Sequence, residues 1–467
     1  MSVSRTRRRR LTARAAGTVG AMALVLGATM APAGAATPHT GKPHTGKGSG
    51  AVVPDAPMTD SAGGPVGGPA DDTAVARAQA AANGGSTQGG TAGLPHVHAG
   101  PVGSNVVRSV TPVIPAPTGP YQVGTVNLHL VDKTRYDPWV PTYPPRELMV
   151  QLWYPTVAAT GHQLAPWLQS LAGSHFLQSW KVKPGTVTLP TTAGHLGAPV
   201  DTKLGKLPVV LYSTGFHSDR SQGTTLAEDL ASRGFLVVEI DSTHDAEEVQ
   251  FPGNRLELET AASAKYTLTV RSADAKFVVN ELALIAKGTD PDVDHAPLPA
   301  GLAGDIDMSR IGMFGWSLGG PTVMDAMALD PRIAAGADLD GELYGPVLSQ
   351  NLKRPILLFG ASYHDRREDG SWATFWAHQT GPRYELKLAG TQHLTFSDYA
   401  IMFGQAGAQF GLKPAQIQAD LGTLNLNRAF LIERTYLAAY FDVALHITNN
   451  PLMNGPSKSF PEISFIR

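Results

Sequence analysis

A serine between two glycines is the first feature of this sequence that could perform chemistry. The stretch IGMFGWSLGG, residues 311–320, places Ser317 between Gly315 and Gly319, after a strand-like apolar run and before a helix-like pattern. A Gly-x-Ser-x-Gly pattern in that context is typical of a nucleophilic serine on a strained turn, because glycines let the strand and the helix approach closely. A serine that only caps a helix explains the serine but not both glycines. We therefore predict that Ser317 is a nucleophile.

A serine nucleophile needs a general base, and a histidine with an orienting acid is expected later in the chain. His393, in GTQHLTFSDY, directly follows the apolar run YELKLAG, at the loop edge where Ser317 is also expected. His364 follows the serine as well, next to a candidate acid. His378 falls in a helical pattern and His446 ends the last helix, so we interpret both as packing or surface residues. The prediction for the base is therefore His393.

The orienting acid has two candidates, both at strand ends. Asp340 closes IAAGADLD, the strand predicted after the nucleophile helix, and Asp365 follows ILLFGASYH, one strand later. Spacing alone does not choose between them. Asp338 alternates to the same face as Asp340 but lies deeper in the strand, where we expect a structural carboxylate.

An oxyanion hole in this arrangement would use two backbone amides. One is the N–H of Leu318, the residue after the nucleophile, and the other comes from a loop after an earlier strand. VVLYSTGFHSDR supplies such a loop, in which Gly215 permits the turn and Phe216 contributes its N–H. His217 and Arg220 of the same loop are candidates for substrate contacts or for solvated loop residues.

The elements that must position these residues alternate between strands and helices. Two segments near the start, YQVGTVNLHLVD and RELMVQLWYPT, have period-two apolar patterns that predict antiparallel strands near one sheet edge. The later apolar runs are short and nearly continuous, as in strands covered on both faces, and helical patterns lie between several of them. The sequence therefore predicts an α/β fold with a mostly parallel, doubly wound sheet. The later runs are LPVVLYS, FLVVEID, SRIGMFG, IAAGADLD, RPILLFGA and RYELKLAG.

The N-terminal quarter of the chain differs in composition from the rest. RTRRRR followed by AAGTVGAMALVLGATMAPAGAA predicts an export signal over residues 1–36, with ordinary or twin-arginine export both open. Residues 37–106 are rich in Gly, Pro and His and poor in large apolar side chains, which predicts a disordered linker or propeptide. We expect a catalytic domain over residues 107–467 in a secreted, extracellular protein without a permanent membrane anchor.

The overall composition excludes several classes of function. A net charge of −2 over 467 residues gives no polyanion-binding signature, so nucleic acid is not an expected partner. The chain has no cysteine, which rules out disulfides and a cysteine nucleophile. Neither a GxGxxG pattern nor a phosphate-binding GxxxxGK[ST] loop occurs, and no spacing of ligand residues defines a metal site. We therefore expect neither a cofactor nor a metal.

The residues after position 118 resemble the platelet-activating-factor acetylhydrolase-like serine esterases of the α/β-hydrolase superfamily. The resemblance rests on RELMVQLWYPT, PVVLYSTGF, SRIGMFGWSLGG, GADLDGELYGPV and GTQHLTFSDY. In that family the acid follows the strand right after the nucleophile helix, in a Leu-Asp-Gly/Ala context that is DLDG here. The resemblance therefore favours Asp340 over Asp365. It also implies Phe216 and Leu318 as oxyanion amides, and calcium-independent hydrolysis.

Two positions depart from the pattern of this family. Ser213, Thr214 and Gly215 stand where the family usually has Ser-His-Gly, and Trp316 replaces the more frequent histidine before the nucleophile. Because both changes could reshape the acyl pocket, we do not expect the family's acetyl specificity to carry over. The Gly-Trp-Ser-x-Gly elbow is also similar to that of secreted polyester hydrolases, a resemblance that would select Asp365 as the acid.

These observations predict a secreted serine hydrolase that cleaves carboxylic esters through a Ser-His-Asp triad and an acyl-enzyme. The expected substrate is a lipid ester or a short-acyl small-molecule ester, with phospholipid acyl groups among the candidates, and any contact with lipid interfaces is transient. The alternatives are a cutinase-like polyester hydrolase with Asp365 as the acid, a peptidase that uses the same groups, and a non-catalytic binding protein on the same fold. The apolar stretch AIMFGQAGAQFG after His393 fits a packed helix and loop better than an interfacial entrance.

Overall fold

A mixed sheet of 11 strands forms the centre of the fold. The computed structural model describes residues 109–261 and 263–467. The predicted export signal, residues 1–36, and the predicted linker, residues 37–106, lie outside the described residues, so this division of the chain stays a prediction.

The strand order across the sheet is β13-β12-β11-β10-β9-β5-β6-β2-β1-β4-β3, and β7 pairs with β8 in a separate antiparallel hairpin. The strands are β1 (Gln122–Tyr136), β2 (Pro145–Thr156), β3 (Leu164–Pro166), β4 (Thr191–Leu196), β5 (Leu207–Ser213), β6 (Leu236–Asp241), β7 (Glu248–Phe251), β8 (Arg255–Leu258), β9 (Ile306–Trp316), β10 (Ile333–Leu339), β11 (Ile356–Gly360), β12 (Arg383–Leu388) and β13 (Ile463–Phe465).

The middle of the sheet is parallel and its edges are mixed. Strands β6, β5, β9, β10, β11 and β12 run in the same direction, as the continuous apolar runs predict. The two long N-terminal strands form an antiparallel pair beside this block: β2 pairs antiparallel with β6, and β1 pairs antiparallel with β2 and so runs in the direction of the block again. The predicted strand directions are therefore confirmed. The sequence patterns did not predict β3, β4, β7, β8 and β13, which have only three to six residues each.

Eight α-helices lie among the described residues, and the longer ones coincide with the predicted helical patterns. Two of the shorter helices, α1 and α7, were not predicted. The helices are α1 (Ser170–Ser179), α2 (Thr224–Ala231), α3 (Ala264–Ile285), α4 (Gly319–Leu329), α5 (Gly370–His378), α6 (Tyr399–Ala406), α7 (Pro414–Leu421) and α8 (Leu426–Ala444).

Both faces of the sheet are covered, so the doubly wound α/β-hydrolase fold predicted from the sequence is confirmed. One core packs strand side chains such as Leu211 and Met313 against α3, α4 and α5. The other packs Tyr212 and Phe314, the alternate residues of the same strands, against α2, α6 and α8. The stretch after His393 becomes α6, whose buried apolar side chains belong to this second core.

The carboxyl ends of parallel strands meet at one edge of a sheet, where the loops of an α/β protein usually hold its ligand. Four of the loops at that edge carry the residues singled out in the sequence: Phe216 follows β5, Ser317 follows β9, Asp340 follows β10 and His393 follows β12. Among the described residues, none of the helices combines the length and the apolar character needed to cross a membrane.

Candidate active site

Ser317 occupies a strained turn between β9 and α4. Its φ angle is +56°, in the left-handed region that a non-glycine residue rarely adopts. The flanking glycines are required by close approach: a Cβ on Gly315 would collide with the backbone of Gly319, and a Cβ on Gly319 would collide with the carbonyl of Ser213 in β5. The Ser317 N–H donates to the Leu339 carbonyl at 3.0 Å, which ties the turn to β10.

His393 bridges Ser317 and Asp340. Its Nε2 lies 3.0 Å from the Ser317 Oγ, and its Nδ1 lies 2.7 Å from the Asp340 Oδ2. Because a carboxylate only accepts hydrogen bonds, Nδ1 carries the proton and Nε2 is left to accept one from the serine hydroxyl. The three side chains are almost fully buried, with exposed fractions of 5% for Ser317, 4% for His393 and 3% for Asp340.

Asp340 is held by several donors at the end of β10, where its φ angle is +59°. Its Oδ1 accepts the Ala361 N–H at 2.7 Å, and its Oδ2 accepts the Tyr363 hydroxyl at 3.1 Å in addition to the His393 N–H. Burial alone would raise the pKa of Asp340, but the charges and hydrogen bonds of His364 and His393 outweigh it and hold the pKa below its usual value. The carboxylate is therefore ionised at neutral pH.

The other acid candidates lie in different surroundings. Asp365 contacts Arg367 at 2.7 Å and Lys387 at 2.9 Å, and these contacts do not include His393. Asp338 accepts the Gly341 N–H at 2.8 Å, while its Oδ2 has no hydrogen bond to the described residues. Burial raises the pKa of Asp338 well above its usual value, and its place beneath the nucleophile turn is in keeping with a structural role.

The loop after β5, which carries Phe216, accepts hydrogen bonds from Arg271 of α3. The Arg271 guanidinium donates to the carbonyls of Thr214 and Gly215, the latter at 2.7 Å, and pairs with the buried Asp245. The Gly215 carbonyl and the Phe216 N–H belong to one trans peptide, in which the two groups point in opposite directions. The Phe216 N–H therefore points away from Arg271. Sequence reasoning missed Arg271 because its place in a helical pattern carries no sign of this contact.

Trp316, the residue before the nucleophile, contacts the loop that carries His393 and the loop that carries Phe216. Its indole N–H donates to the backbone carbonyl of His393 at 3.0 Å, and the two rings lie 5.2 Å apart between centroids. It also contacts Gly215 in the loop that carries Phe216. The tryptophan that stands here in place of the family's more frequent histidine is thus a large, fully buried aromatic residue between the two loops.

The remaining candidates lie away from the three central side chains. Arg220 is buried and paired with Asp241, so it is neither a solvated loop residue nor free to bind a substrate. His217 lies at the surface, where it contacts Glu259 at 3.0 Å and the Ala261 carbonyl. His378 and His446 are exposed, as predicted.

One cluster in the described residues has the donor spacing of a metal site. Ligand atoms of His175, Glu247 and Glu248 all lie within 4.8 Å of one another. The His175 Nδ1 lies 2.6 Å from a carboxylate oxygen of Glu248, so this ion pair already joins α1 to β7. The cluster lies on α1 and at the start of β7, and neither element carries Ser317, Asp340 or His393.

A serine on a glycine-flanked turn of a doubly wound sheet, in contact with a histidine from the loop after β12, defines the class of α/β-hydrolases. The family model of platelet-activating factor acetylhydrolase, isoform II, matches residues 107–433, and the chain belongs to this family. The resemblance stated from the sequence is therefore confirmed, and the protein is a carboxylic ester hydrolase.

Individual relatives agree with this assignment. The chain is 27% identical over 406 residues to a probable 1-alkyl-2-acetylglycerophosphocholine esterase of Arthroderma benhamiae, with 78% of this chain and 97% of the relative covered. It is 23% identical to platelet-activating factor acetylhydrolase of Cavia porcellus, with 75% and 84% covered. A solved structure of a ferulic acid esterase from Streptomyces cinnamoneus matches with a TM-score of 0.63 and 31% identity, over 76% of this chain and 99% of that one.

Proposed function

We propose that this esterase works through a triad in which Ser317 is the nucleophile, His393 the general base and Asp340 the orienting acid. The observation that carries the proposal is the continuous chain of contacts from the Ser317 Oγ to the His393 Nε2 at 3.0 Å, and from the His393 Nδ1 to Asp340 at 2.7 Å. Asp365 is not proposed as the acid, because its carboxylate is already paired with Arg367 and Lys387.

The proposed reaction has two steps. His393 takes the Ser317 proton as the oxygen attacks the ester carbonyl, and it then returns that proton to the leaving alkoxide, which departs as an alcohol. In the second step His393 takes a proton from water, which attacks the acyl-enzyme, and the acid product leaves as Ser317 regains its proton. Asp340 holds the imidazole tautomer and stabilises the imidazolium in both steps.

The proposed oxyanion hole consists of the backbone N–H groups of Phe216 and Leu318. Leu318 directly follows the nucleophile and precedes α4, so its amide lies at the positive end of the helix dipole. The hydrogen bond from Arg271 to the Gly215 carbonyl fixes the orientation of the Phe216 amide. Each such donor contributes about 3 to 4 kcal/mol to the stabilisation of the transition state in serine hydrolases.

For the substrate, we propose two candidate classes of carboxylic ester. The fungal relative is described by its name as acting on an acetylated glycerophosphocholine, which supports a short-acyl phospholipid as one candidate. The structural neighbour is a ferulic acid esterase at higher identity, which supports a feruloyl ester as the second candidate. We also propose that residues 1–36 direct secretion and that residues 37–106 form a linker or propeptide, on the composition of those segments.

The proposal is tested by labelling and by a panel of esters on the purified protein. A fluorophosphonate probe should label wild type, and the label should map to Ser317, while Ser317→Ala should lose both labelling and ester cleavage with an unchanged circular dichroism spectrum. Methyl ferulate, p-nitrophenyl acetate, p-nitrophenyl hexanoate and a short-acyl phosphatidylcholine then rank the substrate classes by kcat/KM. Near-normal turnover by the Ser317→Ala variant would contradict the assignment of the nucleophile.

A further inference from the structure

A second histidine contacts the carboxylate of Asp340 from the side opposite His393. His364 follows β11, and its Nδ1 lies 3.0 Å from the Asp340 Oδ1, whereas His393 contacts the Oδ2. The Nε2 of the same His364 ring lies 2.8 Å from an oxygen of Asp369. The contacts therefore form one chain in the order Asp369, His364, Asp340, His393 and Ser317, which is buried except for the half-buried Asp369.

The geometry of His364 requires a charged ring. Both of its nitrogens face carboxylates, which accept hydrogen bonds and do not donate them, and a neutral imidazole has only one N–H. Asp369 is itself fixed at the N-terminus of α5, where its other oxygen accepts the Ser371 N–H at 2.6 Å. The His364 ring also stacks on Trp372, with 4.0 Å between the ring centroids. The ring is therefore held in place on its edges and on its face.

We propose that His364 is a positioning residue for the triad: its cationic ring fixes the Asp340 carboxylate with Oδ2 towards His393 and offsets part of the negative charge that Asp340 presents to His393. The inference rests on the proposed function, because it assigns His364 a role through Asp340 and His393. The nitrogens of His364 contact Asp340 and Asp369, so it acts on the reaction through Asp340 and then His393.

The charges around His364 explain why a cation is needed there. Asp340 and Asp369 contact the ring directly. The positive charge of His364 also acts on the pKa of the nearby Asp338, and the negative charge of Asp340 acts on the pKa of Glu433 in α8. Burial would lower the pKa of His364, but Asp340 and Asp369 outweigh it and raise the pKa to about 10. The ring is therefore charged at neutral pH and below.

Removal of this charge should change how the reaction depends on pH. With His364 charged, His393 faces an ion pair whose two charges largely cancel, whereas without it His393 faces a lone carboxylate. A lone carboxylate favours the protonated form of His393, which cannot act as a base. The acid limb of the pH–rate profile should therefore move to higher pH when the charge at position 364 is lost.

Two substitutions separate charge from positioning. His364→Asn keeps a neutral N–H donor near the place of Nδ1, while His364→Phe keeps the ring that stacks on Trp372 but removes both donors. The exposed His378, which contacts only its own helix through the Thr374 carbonyl at 2.8 Å, gives the matched control His378→Asn. The readouts are the rate of fluorophosphonate labelling of Ser317 and kcat and KM for p-nitrophenyl acetate, each from pH 5 to pH 10.

We expect His364→Phe to lower kcat and the labelling rate by roughly 10- to 100-fold with little change in KM, as loss of outer hydrogen-bond partners does at metal sites. His364→Asn should lose less activity, but both variants should move the acid limb up by about one pH unit, since both lack the charge. His378→Asn should match wild type. If His364→Phe does not fold, the pH profile of His364→Asn decides the question.

The outcomes that contradict this inference differ from those that contradict the proposed function. Wild type that is labelled at Ser317, together with folded variants whose acid limb coincides with that of wild type, would overturn the role of His364 and leave the triad standing. A loss of rate explained entirely by unfolded protein, with an unmoved acid limb, would also overturn it. Failure of wild type to be labelled at Ser317 would instead overturn the proposed triad, and the role of His364 with it.

Discussion

The indole ring of Trp316 lies directly against the backbone of Gly215. A Cβ on Gly215 would lie only 2.7 Å from the Trp316 Cζ3, closer than a methyl group and an aromatic carbon can approach. The same indole donates its N–H to the His393 carbonyl at 3.0 Å. One side chain therefore supports both the turn that carries the proposed oxyanion amide and the turn that carries the proposed base.

Gly215→Ala should reduce activity by displacing the loop that carries Phe216. The added methyl group forces either the indole or the loop to move, and loss of one oxyanion donor lowers kcat by about 100-fold in serine hydrolases. We expect a decrease of that order in kcat for p-nitrophenyl acetate. Gly304→Ala is the matched control, because a Cβ there meets nothing within 4 Å. Equal activity of the two variants would mean that the loop does not supply the amide.

Asp340→Asn and Asp365→Asn should separate the two candidates for the acid. Asp340→Asn removes the charge that orients His393. The same replacement of the triad aspartate lowers kcat by about 10⁴-fold in serine proteases. Asp365→Asn breaks pairs with Arg367 and Lys387, which should lower the free energy of unfolding by about 1 kcal/mol and leave kcat close to that of wild type. For both variants, steady-state kinetics measure kcat and urea unfolding measures the free energy of unfolding. The reverse pattern would favour the polyester-hydrolase arrangement.

Much of the fold and part of the site could be predicted from the sequence, for physical reasons. Strands such as β5 and β9 are buried on both faces, so they appear as continuous apolar runs, and the Ser317 turn needs glycines that are visible in the chain. Strands such as β3 and β13 have only three residues, which is too short to show a period, and they form because neighbouring strands offer free hydrogen-bonding edges.

The choice of the acid and the role of His364 could not be derived from local patterns. Asp340 and Asp365 both end strands, and which one meets His393 depends on how two loops turn, so only the family resemblance favoured Asp340. His364 could have been singled out as a histidine beside a candidate acid. Its contact with Asp340, 24 positions earlier in the chain, arises because β10 and β11 are parallel neighbours that end at the same edge.

Arg271 offers a test of how the oxyanion loop is oriented. Arg271→Met alone would leave Asp245 buried without its partner, which costs about 3 to 5 kcal/mol of stability, so the double variant Arg271→Met/Asp245→Asn is the better probe. We expect the double variant to fold and to lose kcat by about 10- to 100-fold, because the Gly215 peptide is free to rotate. Asp245→Asn alone keeps the arginine on the loop and is the control for kcat, and it should be less stable than wild type because it also loses the buried ion pair. An active double variant would show that the loop holds its orientation without Arg271.

The stability of the protein should depend on His364 most strongly at low pH. The pKa of His364 is raised to about 10 by Asp340 and Asp369, against burial that lowers it, whereas in the unfolded chain a histidine titrates near pH 6.5. A raised pKa means that the folded protein binds the proton more tightly, so the contribution is complete below about pH 6.5 and is lost as the pH rises towards 10. In this window the contribution should fall by up to about 1.4 kcal/mol per pH unit.

This dependence can be isolated from other titrating groups by comparing variants. The free energy of unfolding in urea should be measured for wild type, His364→Phe and His378→Asn at pH 6, 8 and 9.5. The difference between wild type and His364→Phe should be largest at pH 6 and should shrink towards pH 9.5, because above about pH 6.5 the folded protein must keep a proton on His364 that the unfolded chain releases. The difference for the exposed His378 should stay small at every pH. A difference for His364→Phe that is the same at all three values would mean that the ring stabilises the fold only through its stacking on Trp372.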